Sequence, residues 1–344
     1  MSYRLPFFLI LFIHLFGLIM IFSSSYIYAR EYFGSGHFFF LRQIIFSCLS
    51  SFVFYFFSKI SFTFIKRFFF ISHIGVTALL FLTFLFPHAQ KGSFRWLHFQ
   101  GYSLQPGEFL KLTSILGLYW LLEKKRHIIF WFIYIIPFLL LLKQPDFGTF
   151  VLCLITIFVY LFLYKFSLKK TIYALLCCLP FLFYLVIKEP YRLNRILSFL
   201  NPWKDPLGKG FQVIQSFLAF AKGGLFGVGL GNSYEKLFYL PEAHNDFLFS
   251  VLGEELGFLG VSLFVTLYYL FFFLLNKHLS SSSEPILGFT LLFTLVFQAF
   301  VNISVCLGIL PTKGITLPFF SYGGSSLLVS SMILGILYGL CKKT

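Results

Sequence analysis

Charge is scarce in this sequence, and acidic charge is the scarcest. The 344 residues include 27 Lys and Arg but only 12 Asp and Glu, so charged residues make up 11% of the chain, where a soluble protein carries roughly 25%. So few charges cannot coat a soluble protein of this length. The chain is not disordered either, because 58% of its residues are hydrophobic. The composition leaves a membrane protein, and the apolar runs exceed the roughly 10-residue strands of an outer-membrane barrel.

The sequence also lacks metal-binding and disulfide patterns. Its six cysteines lie in or beside apolar segments, and their spacing fits neither a metal site nor an extracellular disulfide. The net charge of +15 is spread in short clusters between apolar runs rather than along one basic face, so no nucleic-acid partner is expected. Basic clusters of this kind are typical of the cytoplasmic loops of membrane proteins.

Runs of about 20 apolar residues, the length that spans a bilayer as a helix, predict ten transmembrane helices. They lie near residues 7–29, 39–58, 68–87, 107–122, 127–143, 149–164, 171–187, 247–275, 285–310 and 318–340. The first is too long for a signal-peptide core and has no cleavage motif after it, so we expect it to be retained. The predicted fold is an all-α polytopic membrane protein, a single domain over residues 1–344 with a long loop at about 188–246.

Ten spans put both termini on one side of the membrane, and the positive charges indicate which side. If the termini are cytoplasmic, 13 Lys and Arg fall in short cytoplasmic segments and seven in short outer segments, as expected when positive charge stays inside. The long loop is then extracytoplasmic. Only Glu123 and Glu284 fall on the inner side, while Glu254 and Glu255 lie within the eighth span. The other eight acids gather at the outer face, where we expect the function.

Two stretches at the outer ends of spans carry paired or capping charges. Residues 95–111 begin with Arg95 and place Glu108 and Lys111 one turn apart at the start of a helix. Glu108 and Lys111 are either part of a binding site or an ion pair at the membrane interface, where their charged ends extend toward water. Residues 144–149 (QPDFGT) are typical of a tight turn, in which Asp146 has the position of a helix cap.

The long loop contains two amphipathic helical patterns. Arg192 and Arg195 share one helical face, and residues 201–206 (NPWKDP) end that helix. An apolar stripe suited to the membrane interface follows at Phe211, Ile214, Phe217 and Leu218. The glycines between residues 223 and 231 fit neither a P-loop nor a dinucleotide fingerprint, so they are weak evidence for phosphate binding.

Asp246 is the strongest catalytic candidate. It lies where the long loop enters the eighth span, and partial desolvation there would raise its pKa and make it a better base. Glu254 and Glu255 follow roughly 12–13 Å deeper along a helix, where two adjacent carboxylates are costly unless they are paired or protonated. We expect these two to hold neighbouring segments together rather than to act in catalysis.

Residues 308–326 form a polar, glycine-rich run at the start of the last span. Lipid would leave its backbone unsatisfied, so the run is expected to line a cavity, with Lys313 at its mouth and Ser321, Gly323 and Gly324 as binding candidates. The four stretches together indicate an outer-facing site for a substrate with a lipid tail, an anionic head and a group to be deprotonated. The residues alone leave open whether such a lipid is chemically modified or transported.

These motifs together resemble the SEDS family of shape, elongation, division and sporulation proteins. The resemblance rests on residues 105–111, 144–149, 240–247 and 311–326, and it extends from about residue 40 to residue 340. Three features are more similar to the cell-division branch than to the elongation branch: residues 201–203 (NPW), Ala243 and residues 311–318 (PTKGITLP). An elongation or sporulation member is the alternative within the family.

The resemblance implies an inverting peptidoglycan glycosyltransferase that polymerises lipid II at the outer membrane face. Asp246 matches the family's essential aspartate and is the implied general base, which takes the proton from the acceptor's GlcNAc 4-hydroxyl as that oxygen attacks C1 of the donor MurNAc. Undecaprenyl pyrophosphate then leaves. Glu108 and Lys111 match a conserved pair of the family, and Arg95 matches its Arg-Trp run. Arg95 and Lys111 are assigned to the lipid head group, and Glu108 is a substrate-binding candidate.

The resemblance also implies partners and a location. The partners are a class B penicillin-binding transpeptidase and other membrane proteins of the division machinery, and the location is the bacterial cytoplasmic membrane at the septum. No cofactor is clearly implied; a divalent cation is left open, although no acidic cluster demands one. Gly107 stands where the family usually has Ser, and Asn245 where it usually has Thr, so hydrogen bonding beside Asp246 can differ. A lipid II flippase and a scaffold that recruits the transpeptidase are the other functions considered.

Overall fold

The computed structural model describes residues 4–86, 94–99, 101–124, 127–144, 146–164, 167–237 and 240–342. Five basic residues counted in the charge argument lie outside this part of the chain, as does Pro145 of the QPDFGT turn; the five are Lys91, Lys125, Arg126, Lys165 and Lys343. The described residues form thirteen helices, in chain order α1 (Leu5–Phe33), α2 (Phe38–Lys59), α3 (Phe62–Arg67), α4 (Phe69–Leu85), α5 (Pro106–Lys124), α6 (Ile128–Lys143), α7 (Phe147–Leu163), α8 (Leu168–Lys188), α9 (Pro190–Leu200), α10 (Phe211–Gly223), α11 (Leu248–Leu279), α12 (Pro285–Cys306) and α13 (Gly324–Lys342).

Ten of these helices, all except α3, α9 and α10, coincide with the ten predicted spans, so the prediction of an all-α polytopic fold is confirmed. Among the described residues, α1, α2, α11, α12 and α13 are each long and apolar enough to cross a bilayer. Large apolar side chains point outward from the bundle, as Phe8, Phe52 and Phe183 do at 64%, 65% and 68% exposure. Such a surface suits lipid rather than water, and the chain is a polytopic membrane protein.

Helix starts follow local chemistry. Pro6, Pro190 and Pro285 occupy first turns, where the missing backbone N–H has no intrahelical partner to lose. Asp146 precedes α7, and its carboxylate accepts a hydrogen bond from the Thr149 amide at 3.3 Å. The predicted capping role of Asp146 is therefore confirmed.

The last two spans are shorter than the sequence predicts. The predictions were 285–310 and 318–340, but α12 ends at Cys306 and α13 begins at Gly324. Residues 307–323, called the α12–α13 segment below, form turns and extended chain. Pro311 and Pro318 lack the backbone N–H that a continuing helix needs, so the segment returns to the bundle as irregular backbone.

A short antiparallel hairpin, absent from the sequence prediction, precedes α5. Strand β1 (Leu97–Phe99) pairs with β2 (Tyr102–Leu104), with Leu97 opposite Leu104. Arg42 of α2 donates a hydrogen bond to the Gly101 carbonyl and so ties the hairpin to the bundle. The hairpin thereby fixes the chain on both of its sides, at Arg95 before it and at Gln105 after it.

Helix α11 is broken near its middle. Gly257 has φ 64° and ψ −165°, a conformation that favours glycine. The chain that follows α10 enters the break: the Val228 amide donates to the Glu254 carbonyl at 3.0 Å, and the Phe258 amide donates to the Gly224 carbonyl at 2.8 Å. The N-terminal part of α11, which begins directly after Asp246, is therefore held by the long loop as well as by the bundle.

The amphipathic stripe predicted for α10 is only partly the buried face. Ile214 is 4% exposed but Leu218 is 38% exposed, and the buried face of α10 consists of Val213, Ile214, Ser216, Ala219 and Gly223. This face packs on α11, where a Cβ at Gly223 would lie 3.0 Å from the Glu254 Cα. Packing against protein therefore fixes the orientation of α10, and the expected stripe was offset from it.

Candidate functional site

A cavity of about 870 Å³ opens at the end of the bundle where α5, α11 and α13 begin and α12 ends, and it is bordered by α9 and α10. Six of the eight predicted site residues line it: Arg95, Glu108, Asp246, Lys313, Gly323 and Gly324. Residues from three separate stretches of the chain, 95–108, 246 and 313–324, thus meet at one place. The α12–α13 segment forms one wall, as expected for irregular backbone beside a cavity.

Asp246 lines the cavity, and its backbone carbonyl is held by side chains of α12. The Asn302 side chain of α12 donates one amide to the Asp246 carbonyl at 2.8 Å and to the Ile315 carbonyl at 2.7 Å. The Cys306 thiol also approaches the Asp246 carbonyl at 3.4 Å. Across the gap, Gly314 has φ 67°, and a Cβ there would lie 3.3 Å from Asp246 Oδ2. The backbone is therefore anchored while the carboxylate faces the cavity, as a general base requires.

Four cations surround the cavity: Arg95, Arg192, Arg195 and Lys313. Arg95 Nε donates to the Gln144 carbonyl at 3.2 Å, and Arg195 Nη1 donates to the Thr312 carbonyl at 2.9 Å. Burial lowers the pKa of Lys313 and of Arg195, while the negative charge of Asp246 acts in the opposite direction on Arg195. Cations in a site screened from water are well suited to bind an anionic group.

Lys111 does not line the cavity. Its side chain is 3% exposed, pairs with Glu108, and donates to Gln298 Oε1 at 2.6 Å. Gln298 in turn donates to the Thr316 carbonyl at 2.9 Å. Lys111 therefore holds Glu108 and, through Gln298, the α12–α13 segment, and its contact with a substrate head group stays a prediction.

Ser321 also lies outside the cavity lining, and its role in binding stays a prediction. It is 5% exposed, and its hydroxyl accepts a hydrogen bond from the Leu317 amide at 3.1 Å, which closes a turn within the α12–α13 segment. Its neighbours Gly323 and Gly324 do line the cavity, as predicted. The Gly323 amide donates to Gln43 Oε1 at 3.3 Å, so α2 fixes this edge of the site.

Glu254 and Glu255 are fully buried and belong to a separate polar cluster. Glu254 accepts hydrogen bonds from the Ser233 hydroxyl and from the Tyr234 amide, the latter at 2.9 Å. Glu255 accepts one from Ser23 of α1 at 2.7 Å and pairs with Lys236 at 3.1 Å. The two acids thus tie the long loop and α1 to α11, in agreement with the structural role expected for them.

Sequence reasoning missed several residues of the site. Glu189, Glu242 and Asn302 line the cavity but were not predicted, and the arginine pair Arg192 and Arg195 was not connected with Asp246. The shared helical face of the two arginines was the only available signal, because α9 and Asp246 are far apart in sequence. Among the residues that the structure describes, no three His, Cys, Asp or Glu side chains are grouped so that they could hold a metal ion.

The whole chain is similar in sequence to known proteins of one family. The model of a family described as "Cell cycle protein", which covers FtsW, RodA and SpoVE, matches residues 3–344. The probable peptidoglycan glycosyltransferase FtsW of Geobacter sulfurreducens is 37% identical over 342 residues, covering 95% of this chain and 92% of the relative. The protein of the same name in Borreliella burgdorferi is 36% identical over 340 residues, covering 95% and 93% of the two chains.

Solved structures give the same result for the fold. One chain, from a structure described as "structural coordination of polymerization and crosslinking by a peptidoglycan synthase complex", superposes with a TM-score of 0.80 at 28% identity over 98% of this chain and 97% of that one. The rod shape determining protein RodA of Thermus thermophilus gives a TM-score of 0.71 at 24% identity, covering 99% and 96%. The arrangement of helices is therefore shared over the whole chain.

Proposed function

Because the chain belongs to the cell cycle protein family of FtsW, RodA and SpoVE, we propose that it is a peptidoglycan glycosyltransferase of the FtsW type. It polymerises lipid II into glycan strands at the outer face of the cytoplasmic membrane during septal wall synthesis. The observation that supports this most directly is the position of Asp246 in a cavity bordered by four cations. A polymerase needs both a proton acceptor and a place for a departing pyrophosphate.

Asp246 acts as the general base in the proposed reaction. Its carboxylate takes the proton from the GlcNAc 4-hydroxyl of the acceptor as that oxygen attacks C1 of the donor MurNAc. The new glycosidic C–O bond forms while the bond from C1 to the pyrophosphate oxygen breaks, which inverts C1. Undecaprenyl pyrophosphate leaves with the bonding electrons, and Arg95 and Lys313 stabilise the negative charge that develops on it.

The proposed orientation places both termini in the cytoplasm and residues 188–246 outside. This orientation is supported by the excess of basic residues in the short segments that it places in the cytoplasm. In this orientation the cavity faces the compartment where glycan strands are assembled. The substrate's undecaprenyl tail stays in the bilayer beside the helices.

A class B penicillin-binding transpeptidase is the proposed partner, together with other membrane proteins of the division machinery. The structural relative at 28% identity supports this proposal, because it comes from a complex described as coordinating polymerisation and crosslinking. The division role, rather than an elongation role, is supported by the 36–37% identity to proteins named FtsW.

A lipid II flippase is the alternative function. It needs a polar route from the cavity to the opposite membrane face, along which the anionic head group can pass. The acids deeper in the bundle, Glu254 and Glu255, are instead bound to Ser23, Ser233 and Lys236. Their charge and hydrogen bonds thus serve to hold segments together, which favours chemistry at one face over transport.

The test uses purified protein, its cognate transpeptidase and fluorescent lipid II, in detergent and in vesicles. We expect a ladder of glycan polymers that muramidase digests. Polymer formation without movement of labelled lipid across vesicles supports the polymerase. Absence of polymer, with lipid II crossing the vesicle membrane, would establish the flippase instead. A transpeptidase with its active serine replaced is the control that separates polymerisation from crosslinking.

A further inference from the structure

A second cavity, of about 360 Å³, lies beside the first between α9, α10 and the α12–α13 segment. One face of α9 forms its longest wall, with residues at the spacing i, i+3, i+4, i+7 and i+8: Tyr191, Asn194, Arg195, Ser198 and Phe199. Lys209 and Thr312 complete the mouth and the far side. The cavity is therefore built by a regular helical face rather than by an accidental gap between loops.

The two cavities share a wall. Tyr191, Arg195 and Gln212 line both of them. The Arg195 guanidinium lies over the Tyr191 ring at 4.5 Å and is fixed by its hydrogen bond to the Thr312 carbonyl at 2.9 Å. A ligand that extends from Asp246 past this wall enters the second cavity without crossing the core of the bundle.

The charges of the two cavities differ. In the first cavity Arg95, Arg192, Arg195 and Lys313 are balanced by the four acids Glu108, Glu189, Glu242 and Asp246. In the second cavity Arg195 and Lys209 are present, and none of the described residues lining it is acidic. The second cavity is therefore the more electropositive of the two, which favours an anionic group.

Several polar groups of the second cavity are available to a ligand. Among the described residues, neither the side-chain amides of Asn194 and Gln212 nor the Lys209 ammonium makes a hydrogen bond to another protein group. The Ser198 hydroxyl donates to the Asn194 carbonyl at 2.8 Å and can still accept a hydrogen bond. The cavity thus offers two amides, a hydroxyl and two cations, a set of groups that fits a phosphate joined to a sugar.

The opposite face of α9 is apolar and exposed. Leu193, Leu197 and Leu200 are 37%, 53% and 70% exposed and follow each other at helical spacing. A helix with one apolar face and one cationic face lies at the boundary between lipid and water. An α9 helix at this boundary places the second cavity beside the level of the lipid head groups.

We propose that the second cavity binds the diphosphate of the acceptor lipid-linked saccharide. This inference rests on the proposed function, in which two such molecules react. The donor's diphosphate is bonded directly to the C1 that is attacked, so it must lie near Asp246 in the first cavity. The acceptor's diphosphate is two sugar rings away from its reacting 4-hydroxyl, so it needs a second anion site one cavity further on.

The test separates the two substrate roles with two lipid II analogues. An analogue with a blocked GlcNAc 4-hydroxyl can only donate, and a C-glycoside analogue with a methylene group in place of the oxygen between C1 and the first phosphorus can only accept. The donor analogue and the acceptor analogue can react with each other only once, so the KM of the donor and the KM of the acceptor are measured separately. Lys209→Gln should raise the acceptor KM by about fivefold, the upper size of one solvent-screened ion pair, and leave the donor KM unchanged.

Two further variants keep the test decisive. Ser198→Trp fills the cavity and should raise the acceptor KM more than Lys209→Gln does. Lys204→Gln is the matched control, because Lys204 is an exposed lysine of the same loop that lines neither cavity. An unchanged acceptor KM in both Lys209→Gln and Ser198→Trp, or a raised donor KM instead, would overturn the acceptor site. Failure of the wild type to couple the analogues would contradict the proposed function itself.

Discussion

Replacing Lys111 with Met should destabilise the protein and disturb the cavity wall, although Lys111 does not reach the cavity. Its ammonium pairs with the buried Glu108 and donates to Gln298 Oε1 at 2.6 Å. Met preserves the length of the side chain but leaves Glu108 as a buried carboxylate without its cation. Removing one partner of a buried pair costs about 3 kcal/mol at the lower end of the usual range, and the lower end applies because polar contacts in membranes are weak.

Unfolding of the detergent-solubilised protein, followed by heating, measures this loss. A chain of this length loses about 2 °C per kcal/mol, so Lys111→Met should lower the unfolding temperature by about 6 °C. Adding Glu108→Gln removes the unpaired charge and should restore most of that loss. Lys124→Met, an exposed lysine at the end of α5, is the control and should have little effect. Reduced polymerisation by Lys111→Met with an unchanged unfolding temperature would refute the positioning role and favour direct substrate contact.

Three other predictions concern the cavity and the break in α11. Burial lowers the pKa of Lys313, so its positive charge is lost as pH rises through that lowered pKa. Lys313→Arg should therefore extend polymerisation to higher pH. Identical rates of wild type and variant on the alkaline side of the pH–rate profile would argue against a role for this charge. Asn302→Ala removes the hydrogen bond to the Asp246 carbonyl and should lower the polymerisation rate about tenfold, because the base is misplaced. An unchanged rate would exclude this positioning role of Asn302. Gly257→Ala places a Cβ on a residue with φ 64°, 2.7 Å from the Leu225 carbonyl oxygen. This should lower the free energy of unfolding by about 2 kcal/mol, as measured by thermal unfolding. The control Gly75→Ala, in open space on α4, should not destabilise the protein.

The ten spans could be predicted from sequence because a bilayer imposes one length and one composition on each of them. The site could be located at one end of the bundle for a related reason: acids are costly in lipid, so their clustering between spans indicates a polar region. Asp246 was chosen as the catalytic candidate by its position at the entrance to the eighth span, and it lines the cavity. These predictions depend on the membrane environment and on local sequence, which a single chain displays directly.

Contacts between distant parts of the chain could not be predicted in this way. The i, i+3 spacing of Glu108 and Lys111 shows that they meet, but the orientation of α5 decides which one faces the cavity, and Gln298 of α12 fixes that choice. The break at Gly257 depends on backbone hydrogen bonds with the chain after α10, and helical periodicity does not reveal it. Glycines in that run suggested phosphate binding only weakly, and in the structure Gly223 and Gly227 pack closely against the backbone of α11.

The replacement of Asp246 by Asn tests the central claim most directly. Asn keeps the shape of the side chain and the backbone carbonyl that Asn302 holds, but it cannot take a proton from the acceptor hydroxyl. The measurement is the initial rate of lipid II polymerisation by the purified variant with its transpeptidase, beside Glu31→Gln, an exposed acid outside the cavity. We predict a loss of about 100-fold or more for Asp246→Asn and a wild-type rate for Glu31→Gln. Polymerisation by Asp246→Asn at the wild-type rate would contradict the assignment of Asp246 as the base.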